Sequence, residues 1–231
     1  SRLYRLTPGE SGWSQEEIAL PGLGTASLGS TSDADDSFFF SYTDFLTPES
    51  LYLVRGGETP RQVKASPAWF SSEGMTVAQH EATSKDGTKI PYFVVTPKGF
   101  VANGANPTLL TAYGGFEVSQ VPRYSGAAGS AWLARGGVYV LANIRGGGEF
   151  GPRWHQAAMQ EKHQNNFDDL IAVAEDLIAR EITSPAHLGI VGGSQGGLLV
   201  NGSFVQRPDL FKAVISAVPL ADMKRYNQLL A

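Results

Sequence analysis

The stretch "LGIVGGSQGGLLV" at Leu188–Val200 constrains this chain more than any other. Its centre fits G-x-S-x-G, in which a serine occupies a strained strand-to-helix turn and the flanking glycines let neighbouring backbone approach closely. The motif requires a strand before the serine and a helix after it, and His187–Val191 and Gly197–Gln206 are predicted to form them. Ser194 is therefore predicted to be a nucleophile. The alternative is a Gly/Ser-rich turn that binds phosphate or only packs.

The composition is that of a globular protein and excludes several classes of partner. Of 231 residues, 42% are hydrophobic and 17% are charged, with a formal net charge of -4. There is no basic patch for nucleic acid and no apolar run of membrane-spanning length, so neither nucleic acid nor a membrane is expected as a partner. We expect a cytoplasmic location, with the periplasm as the alternative.

Neither a metal nor a cofactor is expected. The chain has no cysteine, which excludes disulfides and thiolate metal sites. Its histidines lack metal-ligand spacing, and His155 and His163, eight residues apart on one expected helix, are predicted to be solvated or capping. "RGGGEFG" at Arg145–Gly151 does not fit a dinucleotide-binding fingerprint and is predicted to be a loop at the rim of the active site.

The first seventy residues are predicted to form short antiparallel strands. Leu3–Glu10, "LYRLTPGE", recurs loosely as "LYLVRGGE" at Leu51–Glu58, and the strand-like "SFFFSYTDF" at Ser37–Phe45 lies between them. Repeats of this length suggest propeller blades, although two unrelated hairpins would give the same pattern. The stretch holds about one and a half blades, so it cannot close a propeller ring by itself.

From about Met75 onward, strands alternate with helices. A hairpin is predicted around Asp86-Gly87, and the apolar segments "TLLTAYGG", "GVYVLANIR" and "KAVISAVP" are predicted strands. Gly126–Arg135 is a predicted helix. The clearest helix covers Asn166–Ile182, with Asn166 as its N-cap and Asp168 and Asp169 as charges of its first turn. This alternation predicts an α/β fold with a doubly wound, mostly parallel sheet.

Six motifs together resemble the prolyl oligopeptidase family of serine peptidases in order and spacing: "AYGGF", "NIRGGGEFG", "NNFDDLIAVAEDLI", "TSP", "GGSQGGLLV" and "QRPDLF". The resemblance implies an α/β-hydrolase domain whose mouth is covered by a seven-bladed β-propeller. On this basis residues 1–70 are the C-terminal part of the propeller, and residues 71–231 are the N-terminal portion of the hydrolase domain.

The resemblance also implies roles for the candidate site residues. Ser194 would attack the scissile carbonyl, and the backbone N–H of Gln195 would donate to the oxyanion. By the matching motif, the hydroxyl of Tyr113 is the second donor, with a core aromatic as the alternative role. By matching position, Phe116 and Leu220 are walls of the pocket for the residue before the cleaved bond. Gln195 departs from the asparagine of the closer prolyl-cleaving members, which weakens the case for a strict proline preference.

The catalytic triad is incomplete in this sequence. In this fold the order is serine, acid, histidine, but no histidine follows Ser194, and Asp209 and Asp222 lie too early for the acid. We therefore expect a part of a longer protein whose acid and histidine lie beyond Ala231, and expect residues 1–231 alone to be inactive.

The predicted function is that of a serine oligopeptidase that hydrolyses short peptides after proline. A carboxylesterase or other acyl hydrolase of the same fold is the alternative enzyme, and the propeller signals favour the peptidase. A binding or structural module is the alternative for the fragment alone.

Overall fold

A computed structural model describes residues 1–228 of the chain. These divide into two compact units, one formed by Ser1–Ser72 with Val121–Ala131 and the other by Glu73–Gln120 with the residues from Trp132 on. No helix within the described range is both long enough and apolar enough to cross a membrane.

The first unit is built from antiparallel strands in chain order. The hairpin consists of β1 (Leu3–Gly9) and β2 (Gly12–Ile18). The four-stranded sheet consists of β3 (Thr25–Thr31), β4 (Phe38–Thr43), β5 (Ser50–Val54) and β6 (Arg61–Ala65). Aromatic side chains alternate along β4 towards one face, so Phe40 and Tyr42 are buried, and Phe40 stacks on Tyr52 of β5 with ring centroids 5.1 Å apart.

A short helix, α1 (Gly126–Ala131), also belongs to the first unit. The segment before it is tied to the strands: Thr25 donates to the carbonyl of Pro122 over 2.8 Å, and Tyr124 stacks on Phe70. The helix predicted over Gly126–Arg135 is therefore shorter, and its last part is a separate 3₁₀ turn at Leu133–Arg135.

The second unit contains a six-stranded mixed sheet. Its strands are β7 (Thr76–Thr83), β8 (Lys89–Thr96), β9 (Thr108–Thr111), β10 (Val138–Ala142), β11 (Leu188–Gly193) and β12 (Ala213–Ala217), in the order β12-β11-β9-β10-β8-β7. The first four strands in this order are parallel, whereas β8 runs antiparallel to both β10 and β7. The hairpin β7–β8 turns at Gly87, whose φ of 87° is easily adopted only by glycine. The hairpin prediction is confirmed.

Helices of the second unit follow the parallel strands and complete its core. They are α2 (Pro152–Gln156), α3 (Gln164–Ala179) and α4 (Gln195–Gln206). In α3 the fully buried Leu170, Val173 and Leu177 recur every three or four residues, which places them on one face against the sheet core. The N-cap of α3 is His163, so the prediction of Asn166 as N-cap is wrong, because the helix begins two residues before it.

Candidate active site

Three loops leave the sheet of the second unit at the same edge. Strand β9 lies between β11 and β10, with Thr111 paired to Val191 on one side and to Leu141 on the other. Because the three strands are parallel, the segments that follow them begin side by side. The carboxyl edge of parallel strands is where α/β folds place their ligands.

Ser194 occupies a strained turn between β11 and α4. Its φ of 56° and ψ of -118° are unusual for a residue with a side chain. Its backbone N–H donates to the carbonyl of Ala217 over 2.9 Å, and its carbonyl accepts from Gly197 over 3.0 Å. A Cβ on Gly192 would overlap the carbonyl of Gly196, so the turn needs glycine there. The Ser194 hydroxyl, half-buried, makes no hydrogen bond to residues 1–228.

Gln195 and Tyr113 border the turn at Ser194, and each carries a hydrogen-bond donor. Gln195 is the first residue of α4, and within the described chain its backbone N–H has no acceptor, as expected for a helix N-terminus. Tyr113 follows β9, and no described residue bonds its hydroxyl. A methyl group placed on Gly196 would lie 3.7 Å from Cδ2 of Tyr113, so the tyrosine ring lies against the serine turn. The backbone N–H of Gln195 and the hydroxyl of Tyr113 thus bond to none of the described residues.

Asn166 ties together the loops after β9 and β10. It is fully buried, and its Nδ2 donates to the carbonyls of Gly114 and Arg145, each over 2.8 Å. Gly114 has a φ of 63°, and a Cβ there would overlap both Asn166 and Ile144. The residue next to Tyr113 is thus held in place by α3.

Asp169 is not a charge of the first helical turn, so that prediction is wrong. It is fully buried and accepts three hydrogen bonds from Arg145, whose Nε, NH2 and backbone N donate over 2.9, 2.6 and 3.0 Å. Ser84 donates to the same carboxylate over 2.6 Å. Asp168, the adjacent residue, accepts only from Gln164 among the described residues.

Arg145 also reaches a second carboxylate. Its NH1 lies 2.5 Å from Oδ2 of Asp86, and this hydrogen bond lowers the pKa of Asp86 to about 2. Burial lowers the pKa of Arg145, but hydrogen bonds to Asp169 and Asp86 outweigh it and raise the pKa above its ordinary value. The guanidinium therefore fixes the start of the loop after β10 through ion pairs to two carboxylates.

Of the two residues predicted to form pocket walls, Phe116 lines a cavity at this edge of the sheet and Leu220 does not. Phe116 has a φ of 53°, is 59% exposed, and lines a cavity of about 230 Å³ together with the side chain of Gln195. Leu220 does not line that cavity; its backbone N–H donates to the carbonyl of Ser194 over 3.3 Å. Phe116 and Leu220 thus both lie near the serine turn. Of these two residues, only Phe116 lines the cavity that Gln195 also lines.

The histidines near this edge belong to different elements. His155 lies on α2, with Nδ1 2.6 Å from the carbonyl of Gly146, and His163 precedes α3, so the expectation of one shared helix is wrong. Within residues 1–228 no group of three or more His, Cys, Asp or Glu residues could hold a metal ion, and no histidine bonds the Ser194 hydroxyl.

The buried polar residues of α3 carry a signal in the sequence, the helical spacing that they share with its apolar residues. Asn166 lies four residues before Leu170, and Asp169 lies four residues before Val173, so helical periodicity places both on the apolar face. A carboxylate on such a face needs a cationic partner. The residue that supplies this cation, Arg145, comes from another loop, so only the tertiary structure identifies it.

Sequence and structure comparisons with known proteins agree with one another in finding peptidases. A sequence model described as the prolyl oligopeptidase family matches residues 124–229. The chain is 47% identical to the uncharacterized peptidase y4nA of Sinorhizobium fredii over 96% of this chain and 31% of the relative. It is 38% identical to a prolyl endopeptidase of Elizabethkingia miricola over 93% of this chain and 30% of that protein.

The fold is similar to that of a solved relative. The structure of a post-proline cleaving enzyme from Rickettsia typhi matches with a TM-score of 0.86 and 42% sequence identity, over 99% of this chain and 33% of that one. The chain spans about a third of the length of the relatives that it matches. Similarity over nearly all of its residues to these proteins shows that the chain belongs to the prolyl oligopeptidase family.

Proposed function

We propose that this chain supplies the nucleophile and the oxyanion donors of a serine peptidase that hydrolyses short peptides after proline. The observation that carries the proposal is the strained turn at Ser194, bordered by Gln195 and by the ring of Tyr113, whose backbone N–H and hydroxyl, respectively, bond to none of residues 1–228. The names of relatives, a prolyl endopeptidase and a post-proline cleaving enzyme, support peptides as the substrates.

The chemistry follows from the groups at this turn. Oγ of Ser194 forms a bond to the scissile carbonyl carbon while its proton passes to a histidine base, and the carbonyl oxygen becomes an oxyanion that accepts from Gln195 and Tyr113. The same proton then passes to the leaving amine as the C–N bond breaks. Water hydrolyses the resulting acyl-enzyme and restores the serine hydroxyl.

The base and the acid are proposed to come from a longer protein that contains this chain. No histidine among residues 1–228 hydrogen-bonds to Ser194, and the matched relatives are about three times as long. Strand β12 is the edge of the sheet as described, and Ile215 and Val218 on and after it are exposed, Val218 to 81%. An apolar sheet edge of this kind is suited to pairing with further strands.

The first unit is proposed to be the C-terminal part of a β-propeller. Four antiparallel strands in chain order, β3 to β6, have the organisation of one blade, and the hairpin β1–β2 has that of part of another. The proposed boundary places the propeller part at residues 1–70 and the hydrolase portion at 71–231. Within the second range, Val121–Ala131 belongs to the first compact unit.

We expect the complete enzyme to prefer chromogenic peptides with proline or alanine before the cleaved bond over those with lysine or arginine. Phe116 and Leu220 would face that residue with apolar surface, and burying an unpaired charge against them is unfavourable. Comparing kcat/KM across the four peptides tests this, with an ester of the same acyl group as the control. Preference for the basic residues would contradict the proposed specificity, and cleavage of the ester alone would support an acyl hydrolase.

Tyr113→Phe in the complete enzyme should reduce kcat by about 100 to 1000-fold with a small change in KM. The ring and its packing remain, so the loss reports the single oxyanion hydrogen bond, which is formed only as charge develops. Tyr139→Phe, on β10, is a control for loss of a tyrosine hydroxyl elsewhere in the unit. If the substitution of Tyr113 changed KM and left kcat intact, a pocket or packing role would replace the oxyanion role.

A further inference from the structure

The segment 114–120, which follows Tyr113, has a strained backbone at the residue proposed to face the substrate. Phe116 and Glu117 have φ values of 53° and 56°, so two successive residues with side chains adopt a left-handed conformation that such residues rarely adopt. This conformation costs free energy and persists only where the surrounding structure holds it. The position of Phe116 therefore depends on contacts that fix the segment on both sides of it.

Glycines of the loop after β10 lie directly against this segment. A Cβ on Gly146 would overlap the carbonyl of Gly114, and a Cβ on Gly148 would overlap the carbonyl of Glu117. The backbone N–H of Glu117 also donates to the carbonyl of Gly146 over 3.3 Å. The two loops thus meet backbone to backbone, which accounts for glycine at positions 146 and 148.

Side chains hold the end of the segment, at Gln120. This is the last residue before the chain leaves the second unit. Its backbone N–H donates to Oε1 of Glu149 over 2.8 Å, and its carbonyl accepts from Nδ2 of Asn143 over 2.7 Å. The same Nδ2 lies 3.4 Å from Oε1 of Glu149. One carboxylate and one amide therefore bind both polar groups of the Gln120 backbone.

Only one oxygen of the Glu149 carboxylate is used in this way. Its Oε2 is buried and bonds to none of residues 1–228. Burial raises the pKa of Glu149, and the hydrogen bonds from Gln120 and Asn143 act in the opposite direction. A buried acceptor without a partner is unfavourable, so the stabilising contribution of Glu149 lies in the oxygen that binds Gln120 and not in its charge.

We propose that Glu149 is a positioning residue that fixes the end of the segment 114–120 and thereby holds the ring of Phe116 against the residue before the cleaved bond. This role rests on the proposed peptidase function, because it acts on the binding of the substrate that Ser194 attacks. It depends on the reach of Oε1 to the Gln120 backbone, so an uncharged acceptor at the end of a side chain of the same length performs it as well.

The experiment compares two fluorogenic peptides, identical except for proline or alanine before the cleaved bond, with the complete enzyme. The ratio of their kcat/KM values reports contact with the proline ring, and it does not depend on how much of a variant is folded. Glu149→Gln keeps the length and the acceptor and should leave the ratio as in the wild type. Glu149→Asp keeps the charge but is shorter, so the ratio should fall by about tenfold, mainly through a higher KM for the proline peptide. Glu149→Ala should behave like Glu149→Asp.

Three further variants assign that fall to the ring of Phe116. Phe116→Ala should lower the ratio by itself, and adding Glu149→Asp to it should cause no further fall, because the two residues act through one contact. Asn143→Ala releases the carbonyl of Gln120 instead and should lower the ratio in the same way as Glu149→Asp. Glu161→Ala removes an exposed glutamate of the same unit and should leave the ratio unchanged.

An unchanged ratio in Glu149→Asp and Glu149→Ala would refute the positioning role, and so would a fall in Glu149→Gln as large as that in Glu149→Asp. A fall that added fully to that of Phe116→Ala would also contradict it. These outcomes differ from failure of the proposed function, in which neither peptide would be cleaved in a manner that Ser194→Ala abolishes.

Discussion

Replacing Ser194 with alanine in the complete enzyme is expected to lower kcat for a proline-containing peptide by about 10⁶-fold. The residual rate is the one that oxyanion donors and binding support without a covalent intermediate, about 10³ to 10⁴ above the reaction in water. The turn itself should survive, because alanine removes only the hydroxyl, and that group bonds to none of the described residues. The measurement is steady-state hydrolysis at enzyme concentrations high enough to detect the residual rate.

Ser203→Ala is the matched control for this loss. Ser203 lies on α4, the helix that begins beside Ser194, and its hydroxyl is buried without a hydrogen-bond partner among residues 1–228. Removing that hydroxyl should leave hydrolysis unchanged, since no described residue accepts from it or donates to it. If Ser194→Ala retained more than about a hundredth of wild-type turnover while Ser203→Ala behaved normally, Ser194 would not be the nucleophile.

Asp169→Ala is expected to destabilise the second unit by about 3 to 5 kcal/mol. Asp169 is fully buried and Arg145 is 4% exposed, so removal of the carboxylate leaves a buried guanidinium with only the partly exposed Asp86 as its ionic partner. Breaking one member of a buried pair is costly for this reason. Hydrogen exchange of the backbone amides of β10 and β11 measures the free energy of opening of this unit directly.

The neighbouring residue provides the control for the helix itself. Asp168→Ala changes a half-buried residue of the same turn, whose carboxylate accepts a hydrogen bond only from Gln164 within residues 1–228. Its effect should stay within about 0.5 kcal/mol. Equal losses for the two substitutions would mean that the cost lies in helix propensity or end charge, and that the Arg145 pair contributes little.

The elements near the active site could be predicted from the sequence because their signals are local. Two glycine pairs around Ser194 indicated the sharp turn, and the structure shows why: a Cβ on Gly192 would overlap the carbonyl of Gly196. Alternating burial in β11 and the helical spacing of apolar residues in α3 likewise reflect one face packed on a core. The antiparallel pairing of β8 with β10 was harder to foresee than its hairpin with β7, since strand direction between distant strands depends on connections.

The hydrogen bonds and the ion pair that connect the loops could not be predicted from local sequence patterns. Asn166 and Asp169 were assigned to the start of a helix from their residue types, which favour helix N-termini. Their partners, the carbonyl of Gly114 and the guanidinium of Arg145, come from other loops and become neighbours only when β9 and β10 pair. The joint lining of one cavity by Phe116 and Gln195 arises in the same way, from loops after adjacent strands.

The most direct test of the account is covalent labelling of the complete enzyme with a peptidyl organophosphonate that carries proline next to the reactive phosphorus, followed by peptide mapping by mass spectrometry. Phosphonates react with an activated serine hydroxyl and leave a stable adduct. The account predicts one adduct, on Ser194, with labelling lost in Ser194→Ala and slowed in Tyr113→Phe. An adduct on any other residue, or labelling that persisted in Ser194→Ala, would contradict it.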